Sequence, residues 1–311
     1  MSVLVTGATG LLGSHVVDLL IERGRSVSAL VRRGEDIGHL RSVGVDIRWG
    51  DLRDRASLRV AVRGVDCIYH CAARTGPWGP KIEYETVNVQ GLQALLDAAM
   101  HGGMRRFIHV SSVAVHGADV RGMADETSPL RIEPNPYNRS KIEGERLLAR
   151  AIRERQAPVT IVRPGWIYGP RDVTSFARFA GLIERGRMVQ IGLGDNHVPL
   201  IYVRDVAEGL VQASELDSTM GRVFILVNDE PVTQREYLST IADELGAPPP
   251  SIKLPYRLAL VLAFAAEGLG RLTRWRRSPP LTRYGVRLLG GENRFVISRA
   301  RKERPSIRGI S

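Results

Sequence analysis

Tyr137 and Lys141 stand four residues apart in the run Tyr137-Asn138-Arg139-Ser140-Lys141. That spacing puts both side chains on one face of a helix. A phenol in water has a pKa of about 10. An ammonium beside it stabilises the phenolate and lowers that value. Such a tyrosine can exchange a proton with an alcohol or a ketone near neutral pH. Ser112 follows a strand expected over 107–110 and can hydrogen-bond the same substrate oxygen. A Tyr-x-x-x-Lys pair is common by chance. Its weight here comes from position: after a fifth strand, at the head of a long helix, and downstream of a glycine turn.

That turn opens the chain. Ser2 to Val5 is a short apolar run, Thr6-Gly7-Ala8-Thr9-Gly10-Leu11-Leu12-Gly13 follows, and Ser14 to Ile21 repeats apolar residues at helical spacing. Strand, glycine turn and helix is the order a dinucleotide site needs. Gly7 permits the turn, Gly10 leaves room for a pyrophosphate, and Gly13 lets the helix sit close on the strand. The helix N-terminus then offers N–H groups and a favourable dipole to the phosphates. A positive nicotinamide ring held there would add to the stabilisation of a Tyr137 phenolate.

A second strand, Ser26 to Val31, ends in Arg32-Arg33. An acid at this place binds an adenosine ribose 2′-hydroxyl, whereas arginine pairs with a 2′-phosphate. The sequence therefore favours NADP over NAD, with solvated loop charges as the alternative for both arginines. Glu35 and Asp36 lie far past the strand for the usual ribose acid. Val45 to Trp49 leads into Gly50-Asp51-Leu52, where Asp51 could meet the adenine amino group and Leu52 its ring; alternatively Asp51 caps a helix near Ala56. Val65 to His70 leads into Cys71-Ala72-Ala73, small residues that let backbone approach a cofactor. His70 reads as a structural group at a strand end rather than a catalytic base.

Strand and helix alternate six times without a hairpin signal, which implies right-handed crossovers and a parallel sheet. The sixth strand, Val159 to Val162, ends in Arg163-Pro164-Gly165-Trp166-Ile167-Tyr168-Gly169-Pro170. The rhythm then breaks. The expected organisation is α/β: a doubly wound dinucleotide-binding domain over 1–170, rejoined at about 199–229, and a smaller substrate lobe from 171–198 and 230–311. A helix is expected from about Glu83 to His101, and another from Tyr137 to about Glu154.

Of the formal net charge of +11, +10 falls between Arg271 and Ser311, where twelve Lys/Arg face two acids. The remaining body is close to neutral, so the basic balance is no argument for nucleic-acid binding. Cys67 and Cys71 would stand about 13 Å apart on a strand, at about 3.3 Å per residue. That is too far for a disulfide, and the pair is not a metal spacing. They read as buried thiols of a reducing compartment. With no secretory signal visible, the expectation is a cytoplasmic protein.

Jointly these motifs, in this order over roughly the first 210 residues, resemble the extended short-chain dehydrogenases/reductases. The resemblance rests on Thr6 to Gly13, Asp51-Leu52, His70 to Ala73, Asn88, Ser112, Tyr137/Lys141, Arg163 to Gly169 and Tyr202 to Ala207. It implies a catalytic set of Ser112, Tyr137 and Lys141, with Asn88 supporting the cofactor and the proton path. Ser112 is preferred to Ser111 because it stands five residues before Gly117. It further implies cofactor contacts from Thr9, Leu11, Leu12, Cys71, Ala72, Ala73, Val110, Pro164, Gly165 and Ile167. Substrate contacts are placed at Thr75, Trp78, His116, Trp166 and Tyr168, with His116 standing where a tyrosine is usual. A homodimer through Val87–His101 and Tyr137–Glu154 is also implied.

Two branches compete. Nucleotide-sugar epimerases and dehydratases usually carry Gly-x-Gly-x-Gln-x-Arg-Asp, whose arginine binds a diphosphate. Here the segment is Gly192-Leu193-Gly194-Asp195-Asn196-His197-Val198-Pro199, with Val198 in the arginine's place and Arg171 or Arg178 as the nearest substitutes. The loop Thr75 to Pro80, the 163–170 stretch and the C-terminal region look more like the 3-beta-hydroxysteroid dehydrogenase branch, which acts on lipophilic alcohols and ketones. The apolar run Leu258 to Ala266 is too short to span a bilayer, which takes about 20 residues. It could line a greasy cleft, pack within the second lobe, or bring segment 255–277, with Arg271, Arg274, Arg276 and Arg277, to a membrane surface. Ile297 to Glu303 matches the family's closing segment, but the turn usual before Arg304-Pro305 is missing.

Overall fold

The structure is a computed structural model and describes residues 1–120, 122–273, 275 and 278–303. Arg121, Arg274, Arg276, Arg277 and the Arg304-Pro305 turn lie outside that set. Seven strands form one sheet: β1 (Ser2–Thr6), β2 (Ser26–Val31), β3 (Asp46–Trp49), β4 (Cys67–His70), β5 (Arg106–Val110), β6 (Val159–Pro164) and β7 (Val223–Leu226). Their order across the sheet is β7-β6-β5-β4-β1-β2-β3, and every neighbouring pair is parallel. The order reverses at β1, which pairs with β2 on one side and β4 on the other, Thr6 lying opposite Leu30 and His70. A crevice therefore opens at the carboxyl ends of β1 and β4, the position where doubly wound sheets bind ligands.

The strands are apolar almost throughout because both sheet faces are covered. Val3, Val5 and Ala29 point to one buried cluster, and Leu4, Ile68 and Phe107 to the other. A six-strand reading misses β7. This four-residue strand is reached through the helix Val203–Glu215, whose Val206, Ala207 and Leu210 pack into the first cluster.

Two helices differ in detail from the expectation. The one expected from Glu83 is in three pieces: Lys81–Tyr84, a wide-turn π segment Glu85–Gly91, and Leu92–His101. Asn88 sits in the π segment, a distortion often found at functional sites. The other runs Pro136–Arg155. Asn135 caps it, its side chain accepting from Tyr137 N at 2.9 Å, and Pro136 occupies the first turn. That cap fixes where the turn bearing Tyr137 begins.

A third apolar cluster lies beyond the sheet. Ile191, Val198, Leu238, Ile241, Ala259 and Val286 form its buried centre. Short strand pairs connect it to the sheet region, among them Trp166–Tyr168 parallel to Leu200–Tyr202. No helix among the described residues is long and apolar enough to cross a membrane.

Candidate active site

The glycine turn is built from close approaches. Gly7 has φ +68°, and a Cβ there would lie 2.8 Å from Ala72 Cα. At Gly13 a Cβ would lie 2.1 Å from Gly7 O, so a side chain cannot be accommodated without moving the turn. Gly10 N donates to Gly7 O at 3.0 Å, and no side chain caps the helix Leu11–Glu22 that follows. Its first N–H groups are thus left to a ligand. Thr6 is wholly buried, and its hydroxyl shares a 2.8 Å hydrogen bond with His70 Nδ1 and accepts from Ala72 N at 3.2 Å. Thr6 therefore ties β1 to the Cys71-Ala72-Ala73 backbone, and its side chain is not available to a cofactor. His70 is buried too, with a pKa lowered to about 3 by burial and the nearby Lys141.

At the adenosine end, Arg32 is exposed and its Nε donates to Glu35 Oε1 at 2.6 Å. The other oxygen of Glu35 accepts from Thr9 Oγ1, on the glycine turn, at 3.0 Å. The turn after β2 brings Glu35 back to the turn, although its distance along the sequence argued against this. Arg33 lies over the Trp49 ring at 5.7 Å. Asp51 does not cap the next helix: Asp54 does, accepting from Ala56 N at 2.9 Å. Instead Asp51 holds Arg53, which donates from its N and Nε to Oδ1 and from Nη2 to Oδ2. The Arg53 guanidinium keeps the Asp51 carboxyl below its ordinary pKa. Leu52 is buried against Gly91, where a Cβ would lie 2.8 Å from its own.

On the other wall, Ser112 lies close enough to the Tyr137 phenol to lower its pKa, and its hydroxyl accepts from Ala114 N at 3.1 Å. Ser111, next to it, points elsewhere: its hydroxyl donates to Glu145 Oε1 at 2.5 Å. Lys141 is buried, donates to Val110 O at 2.7 Å and lies 5.9 Å from the Tyr137 ring centroid. Burial lowers its pKa to about 8, opposed by Glu145 and Cys71. Among the chain's own residues the Tyr137 phenol is not acidified. Burial pushes it up to about 12, only partly offset by Ser112, and Lys141 is not among the groups that move it. The ammonium's hydrogen bond to Val110 O commits it to the backbone rather than to the phenol. The phenol of the chain by itself therefore rests as an acid.

Asn88 Oδ1 accepts from Arg74 N at 2.7 Å, and Nδ2 donates to Arg74 O and Ser140 Oγ at 2.9 and 2.8 Å. It pins the post-β4 loop to the helix of Tyr137. Tyr84 adds a second pin, donating to the carbonyls of Gly76 and Trp78. Thr75 is exposed and Trp78 half-buried on that loop. Pro164 is buried at the end of β6; at Gly165 a Cβ would lie 2.2 Å from Pro199 O, and Ile167 packs on the core of the first cluster.

Of the expected substrate contacts His116 is committed to the protein interior, whereas Trp166 and Tyr168 are half-buried and held by ring contacts. His116 is buried, its Nε2 3.1 Å from Arg163 Nη1, and burial lowers its pKa to about 4. Trp166 packs edge-on to Phe179 at 5.4 Å, and Tyr168 against Tyr202 at 5.8 Å. Behind His116 lies a buried ion pair that the motifs did not point to, Arg163 Nη2 to Glu145 Oε2 at 2.6 Å. Glu145 is one turn beyond Lys141, a spacing that could have suggested it. Tyr284, from the helix Arg283–Gly290, comes close enough to Tyr137 for the two phenols to feel each other's charge.

Cys67 and Cys71 are both free, the first buried in β4 and the second half-buried at its end. Burial raises each thiol to about 12. Val198 is buried in the third cluster, Arg171 is paired with Asp18 at 2.7 Å, and Arg178 donates to Pro280 O. A cleft of about 720 Å³ opens at the opposite, amino-terminal edge of the sheet, between Met1, Asp66, Arg106 and Asp217. It lies away from the glycine turn and from Tyr137.

A parallel sheet with a side-chain-free turn at its switch point is the architecture of a dinucleotide-dependent enzyme. The chain belongs to the NAD dependent epimerase/dehydratase family, whose model matches residues 3–225. It is 35% identical to sterol demethylase protein B of Methylococcus capsulatus, over 97% of this chain and 92% of that protein. It is 31% identical to the decarboxylating sterol-4-alpha-carboxylate 3-dehydrogenase of Mus musculus, over 84% and 73% of the two chains. These relatives set it in the 3-beta-hydroxysteroid dehydrogenase-like branch of the extended short-chain dehydrogenases/reductases. The structure of the dTDP-glucose 4,6-dehydratase DesIV of Streptomyces venezuelae, with NAD and TYD bound, matches with a TM-score of 0.73 and 28% identity, over 82% of this chain and 84% of that one. The chain is thus an oxidoreductase of an NAD(P)-dependent family.

Proposed function

We propose that the protein transfers a hydride between a nicotinamide coenzyme and a secondary alcohol or ketone on a lipophilic, sterol- or ketolipid-like molecule. The observation that carries this reading is the side-chain-free glycine turn with its uncapped helix N-terminus at the switch point of the sheet, together with Ser112 lying close enough to Tyr137 to influence its phenol. The turn Thr6 to Gly13 would hold the coenzyme's pyrophosphate through backbone N–H groups. Bound there, the coenzyme supplies or accepts hydride at the substrate carbon. Tyr137, protonated at rest, gives its proton to the carbonyl oxygen as negative charge builds on it, and takes one back in oxidation. Ser112 hydrogen-bonds that oxygen and the phenol together. Lys141, anchored on Val110 O, keeps further N–H donors for the coenzyme ribose. Asn88 is a positioning residue that sets the distance between loop and helix.

The coenzyme preference turns on Arg32, Arg33 and Glu35. The arginines suit the 2′-phosphate of NADP. Glu35 engages Arg32 and suits the 2′-hydroxyl of NAD, so the expected NADP preference depends on Glu35 yielding. Support for a lipophilic substrate comes from Val198 and from the sterol enzymes among the relatives. Thr75, Trp78 and Tyr284 would border the substrate, with Trp166 and Tyr168 behind them. The two domains would meet at this crevice, and a homodimer would pair the helices 87–101 and 136–155.

The test is coenzyme oxidation, followed by absorbance, with NADH and NADPH against 3-ketosteroids, ketolipids and nucleotide sugars. Turnover of a ketosteroid or ketolipid is the expected result. Conversion of nucleotide sugars alone, read by chromatography of the products because epimerisation and dehydration consume no coenzyme, would overturn the substrate class and leave the Tyr137 chemistry in place.

A further inference from the structure

The helix Tyr256–Leu272 presents its apolar residues outward. Ala259, Ala263, Glu267 and Gly270 recur at helical spacing and face the lobe. On the opposite side Leu258, Val261, Leu262, Phe264, Leu269 and Leu272 are exposed, Val261 and Phe264 each by 63% and Leu272 by 82%. Their spacing makes one continuous stripe about 21 Å long at about 1.5 Å per residue. With Trp275 beyond the helix, seven of the eighteen exposed large apolar residues among those described fall in this segment. Elsewhere such residues are scattered singly, which is ordinary for a soluble surface.

Along the sequence the charge of this segment is almost all of one sign. Between residues 245 and 291 there are eight Lys/Arg and a single acid, Glu267. Glu267 is withdrawn from the surface, accepting from Arg283 N at 2.8 Å and Arg283 Nε at 2.9 Å. Arg257 and Arg271 flank Phe264 at intervals of seven, on the same row of the helix, and Arg271 is 61% exposed. A second copy of the chain laid on this face would bring two such cationic surfaces together, which costs free energy. An anionic surface with an apolar interior complements both the stripe and its arginines.

We infer that the helix Tyr256–Leu272 and Trp275 dock the protein peripherally on an anionic lipid bilayer. The docking face adjoins the crevice. Trp78 Nε1 donates to Trp275 O at 3.0 Å, and Gly270 lies against the Trp78 ring, where a Cβ would come within 3.2 Å. Trp78 O in turn accepts from Tyr84, whose phenol influences Tyr137. A lipophilic substrate dissolved in the bilayer would enter along the 75–80 loop. This last step rests on the proposed substrate class; the docking itself does not, and is measured without turnover.

The experiment is flotation of the full chain with vesicles of phosphatidylcholine alone or mixed with phosphatidylglycerol. Binding to the mixed vesicles, weakened by salt, is the expected result. The double variant Val261→Asp/Leu269→Asp should lower the bound fraction at least about tenfold and leave thermal stability and coenzyme binding unchanged. Brominated lipid should quench tryptophan fluorescence in the wild type and less so in Trp275→Phe. Failure to float with anionic vesicles, or flotation that the aspartates do not reduce, would overturn the inference. So would a wild-type dimer in sedimentation that the aspartates split into monomers, which would assign the face to a second copy.

Discussion

On the glycine-turn side of the crevice, the surface is defined by missing side chains. Gly7 and Gly13 leave no room for a Cβ, Thr6 spends its hydroxyl on His70 and Ala72, and what remains for a ligand is backbone. On the Tyr137 side, function depends on which of two adjacent side chains points where. Ser112 lies beside Tyr137, while Ser111 joins the buried Glu145–Arg163 pair. A backbone site tolerates variation in the side chains around it. A side-chain site needs a second layer to hold its members, here Glu145, Arg163, Asn88 and the Asn135 cap.

The contrast predicts different consequences of mutation on the two walls. The largest effect is expected for Tyr137→Phe, which removes the phenolic hydroxyl and keeps the ring. Steady-state turnover should fall about 10²–10⁴-fold, and retention of normal turnover would break the assignment of that wall. Glu145→Ala leaves Arg163 buried without its partner and should cost about 3–5 kcal/mol in denaturant unfolding. Replacing both residues with apolar ones of similar size should restore much of that loss. A small change for Glu145→Ala alone would show that the second layer is dispensable.

Smaller effects sharpen the other wall. Burial lowers the His70 pKa from 6.5 to about 3. The unfolded chain therefore binds more protons than the folded one between those values. The stability this provides is complete above pH 6.5 and is lost as pH falls towards the folded value. His70→Asn should flatten the acid side of a melting-temperature profile; an unchanged slope would mean that His70 is not held neutral. The smallest effect is expected for Glu35→Gln. Freeing Arg32 should shift the ratio of kcat/KM values several-fold towards NADPH, as charge-assisted pairing to a phosphate contributes about 1–2 kcal/mol.

The order of strands and the glycine turn could be read from the chain because both follow from local pattern. Apolar runs made the strands, and Gly7, Gly10 and Gly13 could serve only a backbone that must turn and be approached closely. The strand β7 was missed because four apolar residues after a long excursion carry no periodic signal of their own. Glu35 lies far past the strand in the sequence, yet the turn after β2 carries it back to Thr9. His116, Trp166 and Tyr168 were placed on the substrate by position in a motif. His116 is buried against Arg163, and Trp166 and Tyr168 pack half-buried on Phe179 and Tyr202, through tertiary contacts that no local spacing encodes. The phenol's raised pKa has the same origin, since burial and the direction of the Lys141 amine are properties of the assembled fold.

The division of labour between the walls can be tested by titrating NADH and NADPH into the wild type, Tyr137→Phe and Gly13→Val, with binding read by coenzyme fluorescence. Gly13→Val places side-chain atoms where a Cβ already falls 2.1 Å from Gly7 O, and it should weaken binding by more than about tenfold. Tyr137→Phe should bind as the wild type does. Undiminished binding by Gly13→Val in a folded protein, with loss of binding in Tyr137→Phe, would contradict the account.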